Sequence, residues 1–354
     1  MKRFIKHFVF FIIPIIIWPI SEGLLPITTF TFRHFEALSF KSKVPHLTRF
    51  YPNINSEMKA VGDLCHHTDN SIIKIEKWRT DELGFRNNKF TEEADILLIG
   101  DSFIQGSSLS QEETISSKID SKTNTKLRVY NMAPSSMSEF DRLIKSQIIK
   151  PPKLLIYSIV ERNIPRNIIS YDIEKSITKD EIKSFFGAYN LNVFIDKTLK
   201  QYSVDFIKAR INNVRGHGIP AIGNSKMFFL NGIKQKYNDE NLITTSKKII
   251  AYKKYCDSIG IDFLFLPMPN KETVYYELVP FSKQPNYLFR LDSILTHSNI
   301  KTINTLKVYN EYLKENKTLL YHLDDTHWNS NATDIIAEEI IKMQKTRTHN
   351  TVYN

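Results

Sequence analysis

Short unbroken apolar runs alternate with stretches of helical period over most of the chain, and this alternation sets the fold class. The runs are Ile96–Ile99, Leu127–Met132, Leu154–Val160, Phe263–Leu266 and a weaker Lys301–Asn304. A strand buried on both faces reads this way, and helices between such strands imply a parallel sheet covered on both sides. The plainest helix stands before the fourth run, where Ile249, Tyr252, Cys256 and Ile259 share one face and Gly260 ends it. After the last run, Asn331 or Thr333 is placed to cap a helix that buries Ile335, Ile336, Ile340 and Met343. The pattern predicts one α/β domain over residues 81–345. Within it, 170–245 lacks clean alternation, contains Gly216, Gly218, Gly223 and Gly232, and reads as an insertion or subdomain. Residues 28–80 scatter Phe, His and Pro without a sustained period, and read as a juxtamembrane connector with little regular structure.

The amino terminus has a different pattern. Lys2, Arg3, Lys6 and His7 precede an apolar run from Phe8 to Ile20, which Ser21 and Glu22 interrupt before Gly23 to Ile27 resume it. The run alone matches the core of a signal peptide, but with its neighbours it approaches the roughly 20 residues that span a bilayer. No Ala-x-Ala-like cleavage site follows, so residues 1–27 read as an uncleaved, single-pass anchor. The positive-inside tendency keeps the first residues cytoplasmic and exports the remainder, which predicts a cell-membrane protein facing the periplasm or exterior. A cleaved signal or a peripheral apolar tail is the alternative.

Composition narrows the function class. At 354 residues, 42% hydrophobic and 24% charged, the chain is globular rather than disordered. Cys65 and Cys256 are too few for a disulfide framework, and neither sits in a spacing that suggests a metal; the serine chemistry read below implies no metal or organic cofactor. The net charge of +10 comes from dispersed lysines with no dense basic run and no nucleic-acid module. It reads as a solvated basic surface, and nucleic acid is not an expected partner.

The candidate chemistry lies at two distant places. Gly100-Asp101-Ser102 ends the first buried run, and Asp324-Asp325-Thr326-His327-Trp328 follows the last. A serine hydroxyl is a poor nucleophile until a base takes its proton. Gly100 permits close backbone approach, and Ser102 opens the following helix, where free amides favour a developing negative charge. An Asp two or three residues before a His can orient the imidazole from within one loop, leaving the other ring nitrogen for the serine. Alone, the first motif is an ordinary turn and the second an acidic capping loop. Together they supply the three groups of a serine acyl-transfer site.

With Gly100-Asp101-Ser102-Phe103 after one strand, Tyr130-Asn131-Met132-Ala133 after the next, and the late Asp/His pair, the chain resembles the SGNH (GDSL-like) hydrolase superfamily over residues 80 to 345. The segment Leu83-Gly84-Phe85-Arg86-Asn87 resembles the lead-in of its membrane-anchored members. Three further pieces are similar to the branch that O-acetylates bacterial exopolysaccharides, exemplified by the alginate acetylation proteins. They are the Pro-x-Pro-x-Lys segment Pro267-Met268-Pro269-Asn270-Lys271, running on to Tyr275, the Asp325-Thr326-His327-Trp328 block, and Glu161-Arg162 after a strand. The implied fold is a flavodoxin-like parallel sheet flanked by helices. The implied activity is transfer of acetyl groups to sugar hydroxyls through an acyl-serine, with a polysaccharide or other acylated glycan as substrate. A membrane-bound O-acyltransferase partner is implied as the source of the acetyl group.

The chain also departs from these patterns. In the alginate proteins the Asp-Thr-His-Trp segment precedes the serine motif, whereas here it comes last, as in ordinary superfamily members. Ordinary members use an Asp three residues before His, which is Asp324, and the acetylation branch one two residues before, which is Asp325; Asp325 is favoured. The Gly whose amide helps form the oxyanion hole is replaced by Ser136, in the second block with Asn131. The third block's Asn is represented by Asn163, beside Arg162, which is read as a sugar or carboxylate ligand or as an ion-pair partner of Glu161. Asp101, Lys271, Tyr275 and Trp328 complete the candidate substrate-side set; a solvated Lys271 and a packed Tyr275 are the alternatives, and Trp328 is read as a sugar-stacking surface or as packing for its loop, with stacking favoured. The reading is a serine-dependent O-acetyltransferase. An esterase of the same fold and a non-catalytic polysaccharide-binding protein of an export complex are the alternatives.

Overall fold

The apolar amino-terminal run folds as one helix, α1 (Lys2–Leu24), long and apolar enough to cross a membrane. The computed structural model describes residues 1–352 except 27, 41–49, 67, 165–188, 213–215 and 232–238. Ile27, Gly232 and the first part of the expected insertion lie outside the described residues.

Residues 28–80 hold more regular structure than their sequence predicts. They contain α2 (His34–Leu38) and an antiparallel pair, β1 (Asn55–Ala60) and β2 (Lys74–Arg79), over a small core of Leu38, Phe50, Tyr51 and Trp78. The reason is visible in β2, which buries Glu76 and Trp78 while leaving Ile75 exposed. His34 stacks on Trp78 with centroids 5.3 Å apart, and the Arg86 guanidinium lies 4.0 Å over the same indole. Polar groups inside and apolar groups outside leave no hydrophobic period to read.

The sheet follows. In chain order the elements are β3 (Ile96–Ile99), α3 (Ser102–Gln105), α4 (Ile115–Lys122), β4 (Val129–Asn131), α5 (Met137–Lys145) and β5 (Leu154–Val160). Then come α6 (Tyr189–Lys200), α7 (Tyr202–Ile211), β6 (Gly218–Pro220), β7 (Phe228–Leu230), α8 (Asp239–Ser258) and β8 (Asp262–Met268). The chain closes with α9 (Lys271–Val274), α10 (Tyr287–His297), β9 (Lys301–Thr302), α11 (Thr305–Glu315) and α12 (Ser330–Val352).

Five strands pair in parallel in the order β4-β3-β5-β8-β9. Counted along the chain this is the 2-1-3-4-5 order of a flavodoxin-like doubly wound sheet. Every residue of β3 and β5 is buried, which explains their uninterrupted apolar character. The chain steps one way from β3 to β4 and the other way from β5 onward. Right-handed crossovers therefore put α4 on one face and α5, α8 and α10 on the other. Helix α12 returns to α4, with ion pairs Lys118–Asp334 at 3.3 Å and Lys122–Glu338 at 2.8 Å. The reversal of direction opens a crevice at the carboxyl ends of β3 and β5, where such sheets bind their ligands.

Candidate active site

Ser102 stands at that crevice. Strand β3 ends at Ile99, and a side chain on Gly100 would come within 2.5 Å of the Ser158 carbonyl on β5. Asp101 caps α3 by accepting from the Phe103 amide at 3.0 Å, and its other oxygen accepts from the Val160 amide at 2.7 Å. It is therefore a strut that ties the serine turn to β5 rather than a ligand for substrate. Ser102 itself is half-buried.

The late loop brings His327. His327 Nε2 lies 2.8 Å from Ser102 Oγ, and His327 Nδ1 lies 2.6 Å from Asp325 Oδ1. Asp325 also accepts from the His327 amide at 2.9 Å, from Ser108 Oγ at 2.6 Å and from the Asp63 amide at 2.9 Å. Burial would raise the Asp325 carboxyl, but the charge and hydrogen bond of His327, with Lys74 and His322, hold it well below the usual carboxylate range. Asp324 points elsewhere: its Oδ2 accepts from the Gly62 and Ile72 amides at 3.0 and 2.9 Å. The structure thus brings Asp325, and not Asp324, to the imidazole.

Two parts of this network escaped the sequence reading. Asp63 comes from the segment read as a connector, and its carboxylate accepts from the Thr326 amide at 2.8 Å and hydroxyl at 2.7 Å. Gly62 lets the same segment approach, since a Cβ there would lie 2.0 Å from the Asp324 carbonyl. Ser108 is held in the left-handed region, with φ of 65°, on a loop clamped by buried Arg86. That guanidinium donates to the carbonyls of Leu109 at 2.6 Å, Lys77 at 3.2 Å and Gly106. The only sequence signal was the Leu83–Asn87 resemblance, which gave Arg86 no role.

Several expected substrate-side residues turn inward. Trp328 is fully buried, because the bridge it forms with Tyr321 directs its indole into the core, where Nε1 donates to the Phe103 carbonyl at 3.1 Å. It offers no stacking surface. Lys271 is buried and donates to the carbonyls of His322, Leu323 and Asp325 at 2.6, 3.1 and 3.0 Å. Burial lowers its pKa to about 8, and its role here is to clamp the histidine loop. The Tyr275 hydroxyl accepts from the Leu320 amide at 2.9 Å and so anchors the same loop. Asn131 is buried, donating to the Ile104 carbonyl at 2.8 Å and accepting from the Ala133 amide at 2.9 Å.

The expected oxyanion donor is also engaged. Ser136 is the cap of α5, and its amide donates to the Glu139 carboxylate at 2.6 Å in a capping box. A helix start makes its own demand on that N–H, which the aligned position alone did not reveal.

Beyond β5, Glu161 does not pair with Arg162. It is buried, accepting from the Asn270 amide at 3.0 Å and Thr273 Oγ1 at 2.6 Å, and burial raises its pKa to about 7. Half-buried Arg162 is held by Asn270 Oδ1, through its amide at 3.2 Å and its guanidinium at 3.4 Å. The guanidinium carbon lies 5.6 Å from the centre of the Phe103 ring, which is itself 4.9 Å from the His327 ring. Asn163, also half-buried, closes the short 3₁₀ turn Glu161–Asn163.

Ligand atoms of Asp63, Asp325 and His327 fall within 4.8 Å of one another. N–H and O–H donors already aim at both Asp325 oxygens, so this arrangement fits a hydrogen-bonded relay better than a cation.

No family model and no curated relative matches the sequence. Solved structures with similar backbones include a lipase/acylhydrolase from Enterococcus faecalis, at 10% identity and a TM-score of 0.39 over 73% of this chain and 97% of that one. A GDSL-like lipase from Bacteroides thetaiotaomicron is similar at 10% identity and 0.35, over 72% and 89%. An acetylxylan esterase from Geobacillus stearothermophilus is similar at 11% identity and 0.35, over 71% and 93%. Likeness at this level says nothing of substrate or reaction.

Proposed function

We propose that the chain is a serine-dependent acyl-transfer enzyme of the SGNH type, held to the cell membrane by α1 with its catalytic domain on the periplasmic or extracellular side. The observation that carries the reading is the continuous relay Asp325–His327–Ser102, at 2.6 and 2.8 Å. His327 Nε2 takes the proton of Ser102 as Oγ attacks an acyl carbonyl, and the buried Asp325 carboxylate stabilises the imidazolium that forms. The oxyanion faces the amide of Ser102, one of the first-turn N–H groups that a helix leaves unpaired. His327 then returns the proton to the departing oxygen. In the second half it deprotonates an acceptor hydroxyl that releases the acyl group from Ser102.

The acceptor separates transferase from esterase, and the similarity to exopolysaccharide O-acetylation proteins favours a sugar hydroxyl, with a membrane-bound O-acyltransferase supplying the acetyl group. Incubation of the full chain with an acetyl donor and an oligosaccharide tests this. Acetylated sugar supports transfer; free acetate alone supports the esterase. The engaged Ser136 amide favours a second reading, a glycan-binding protein without catalysis. That reading predicts no fluorophosphonate labelling and binding that survives Ser102→Ala.

A further inference from the structure

Helix α6 turns apolar residues outward as well as inward. Over residues 191–200 its exposed side chains are Leu191, Ile195 and Leu199, at 60%, 45% and 55% exposure. Spaced four residues apart, they share one face. Its polar residues Asn192, Asp196, Lys197, Thr198 and Lys200 are half-buried or buried. A helix facing water has the reverse distribution. Helix α7, which follows directly, also exposes Ile207 and Ile211, together with Asp205, Lys208 and Arg210.

The two helices are wedged between α1 and the amino-terminal module. Trp18 Nε1 donates to Ser203 Oγ at 2.9 Å, and the Ser203 amide donates to the Glu22 carboxylate at 3.1 Å. At Gly23 a Cβ would lie 2.5 Å from Thr198 Oγ1 and 2.9 Å from the Phe194 ring, so α1 and α6 touch closely. On the other side the Tyr51 hydroxyl donates to Asp196 at 2.8 Å and Lys200 donates to the Ala37 carbonyl at 2.9 Å. The exposed apolar edge is therefore fixed beside the carboxyl end of α1, whose own Phe11, Ile15 and Trp18 are exposed.

We infer that α6 and α7 form a second membrane contact, lying in the lipid interface where α1 leaves the bilayer. This rests on the anchoring role proposed for α1. The twelve residues of α6 rise about 18 Å, too short for a hydrocarbon core of about 30 Å but suited to lying along its surface. Lipid is the occupant that fits, because the edge continues an apolar helix of membrane-spanning length and carries Lys208 and Arg210 for anionic headgroups. The contact holds the catalytic domain at a fixed height and orientation above the bilayer.

The test uses the full chain in phosphatidylcholine/phosphatidylglycerol vesicles, with an environment-sensitive fluorophore on Ile195→Cys, on Phe11→Cys, or on Lys307→Cys on the exposed face of α11. The native Cys65 and Cys256 are buried. Spin-labelled lipids carry the quencher either near the glycerol backbone or near the chain end. The expected result is shallow quenching at Ile195, about 5–10 Å deep, deep quenching at Phe11 and none at Lys307. Quenching at Phe11 with Ile195 behaving like Lys307 overturns this inference and leaves the anchor standing. No quenching at Phe11 overturns the anchor instead. A blue-shifted Ile195 probe that lipid quenchers do not reach overturns the second membrane contact, in favour of a protein partner on this face, and leaves the anchor standing.

Discussion

Replacing Asp325 by Asn removes one charge and turns two acceptor sites into a donor, and the geometry fixes what that does. Oδ1 accepts from the His327 amide and Nδ1, and Oδ2 accepts from Ser108 Oγ and the Asp63 amide. If the new NH₂ group faces the imidazole, Nδ1 must become the acceptor, the proton moves to Nε2, and the ring can no longer take the proton of Ser102. That wrong tautomer lowers the rate by about 10⁴-fold. If the NH₂ group turns the other way, it meets the Asp63 amide and leaves a buried donor unpaired, at about 1–3 kcal/mol of stability. In both orientations the imidazolium loses its counter-charge. Asp324→Asn is the matched control, because both of its hydrogen bonds fall on Oδ2, which a carbonyl oxygen can replace. The assay is the second-order rate of fluorophosphonate labelling, with thermal unfolding measured on the same samples. Asp325→Asn is expected to label about 10⁴-fold more slowly and Asp324→Asn within about tenfold of the parent. A folded Asp325→Asn protein that labels at the parental rate, or an Asp324→Asn protein equally impaired, would refute the relay.

Ser108→Ala deletes a charge-assisted bond to Asp325, contributing about 1.5–3 kcal/mol, so labelling should slow by at least about tenfold; an unchanged rate would remove Ser108 from the network. Lys271→Met leaves the carbonyls of His322, Leu323 and Asp325 without their ammonium donor, while sparing the desolvation that lowers the Lys271 pKa to about 8. Stability should change little, whereas amide exchange over residues 322–328 rises and labelling falls by about 100-fold, the penalty of a loop displaced by an ångström; unaltered exchange would contradict the clamp. Glu161 has its pKa raised by burial to about 7, above the ordinary 4.5, so it binds more proton folded than unfolded. Its contribution is present below pH 4.5 and lost as pH rises through about 7, by roughly 3 kcal/mol. Glu161→Gln should flatten the fall in melting temperature between pH 5 and 8, and a parallel profile would disprove the assignment.

What the sequence by itself determined is the part written in local pattern. Four-to-seven-residue apolar runs appear wherever a strand is buried on both faces, and β3, β5 and β8 were legible for that reason. The serine turn was legible because one glycine, one cap and one serine are consecutive. The His loop was legible because Asp325 and His327 are two residues apart, close enough for one turn to join them. Only the tertiary structure decided the rest. Asp324 and Asp325 are equivalent along the chain, and the approach of Gly62, Asp63 and Ile72 assigns one to the backbone of the amino-terminal module and the other to the imidazole. Lys271, Tyr275 and Trp328 looked like ligands for substrate because polar and aromatic residues near a strand end usually face solvent. Here they face a loop whose carbonyls and amides had to be satisfied once buried. Nor did the order of residues reveal that Asp63 and Ser108 complete the acceptor set of Asp325, since partners more than 200 positions apart leave no periodicity for a single sequence to display.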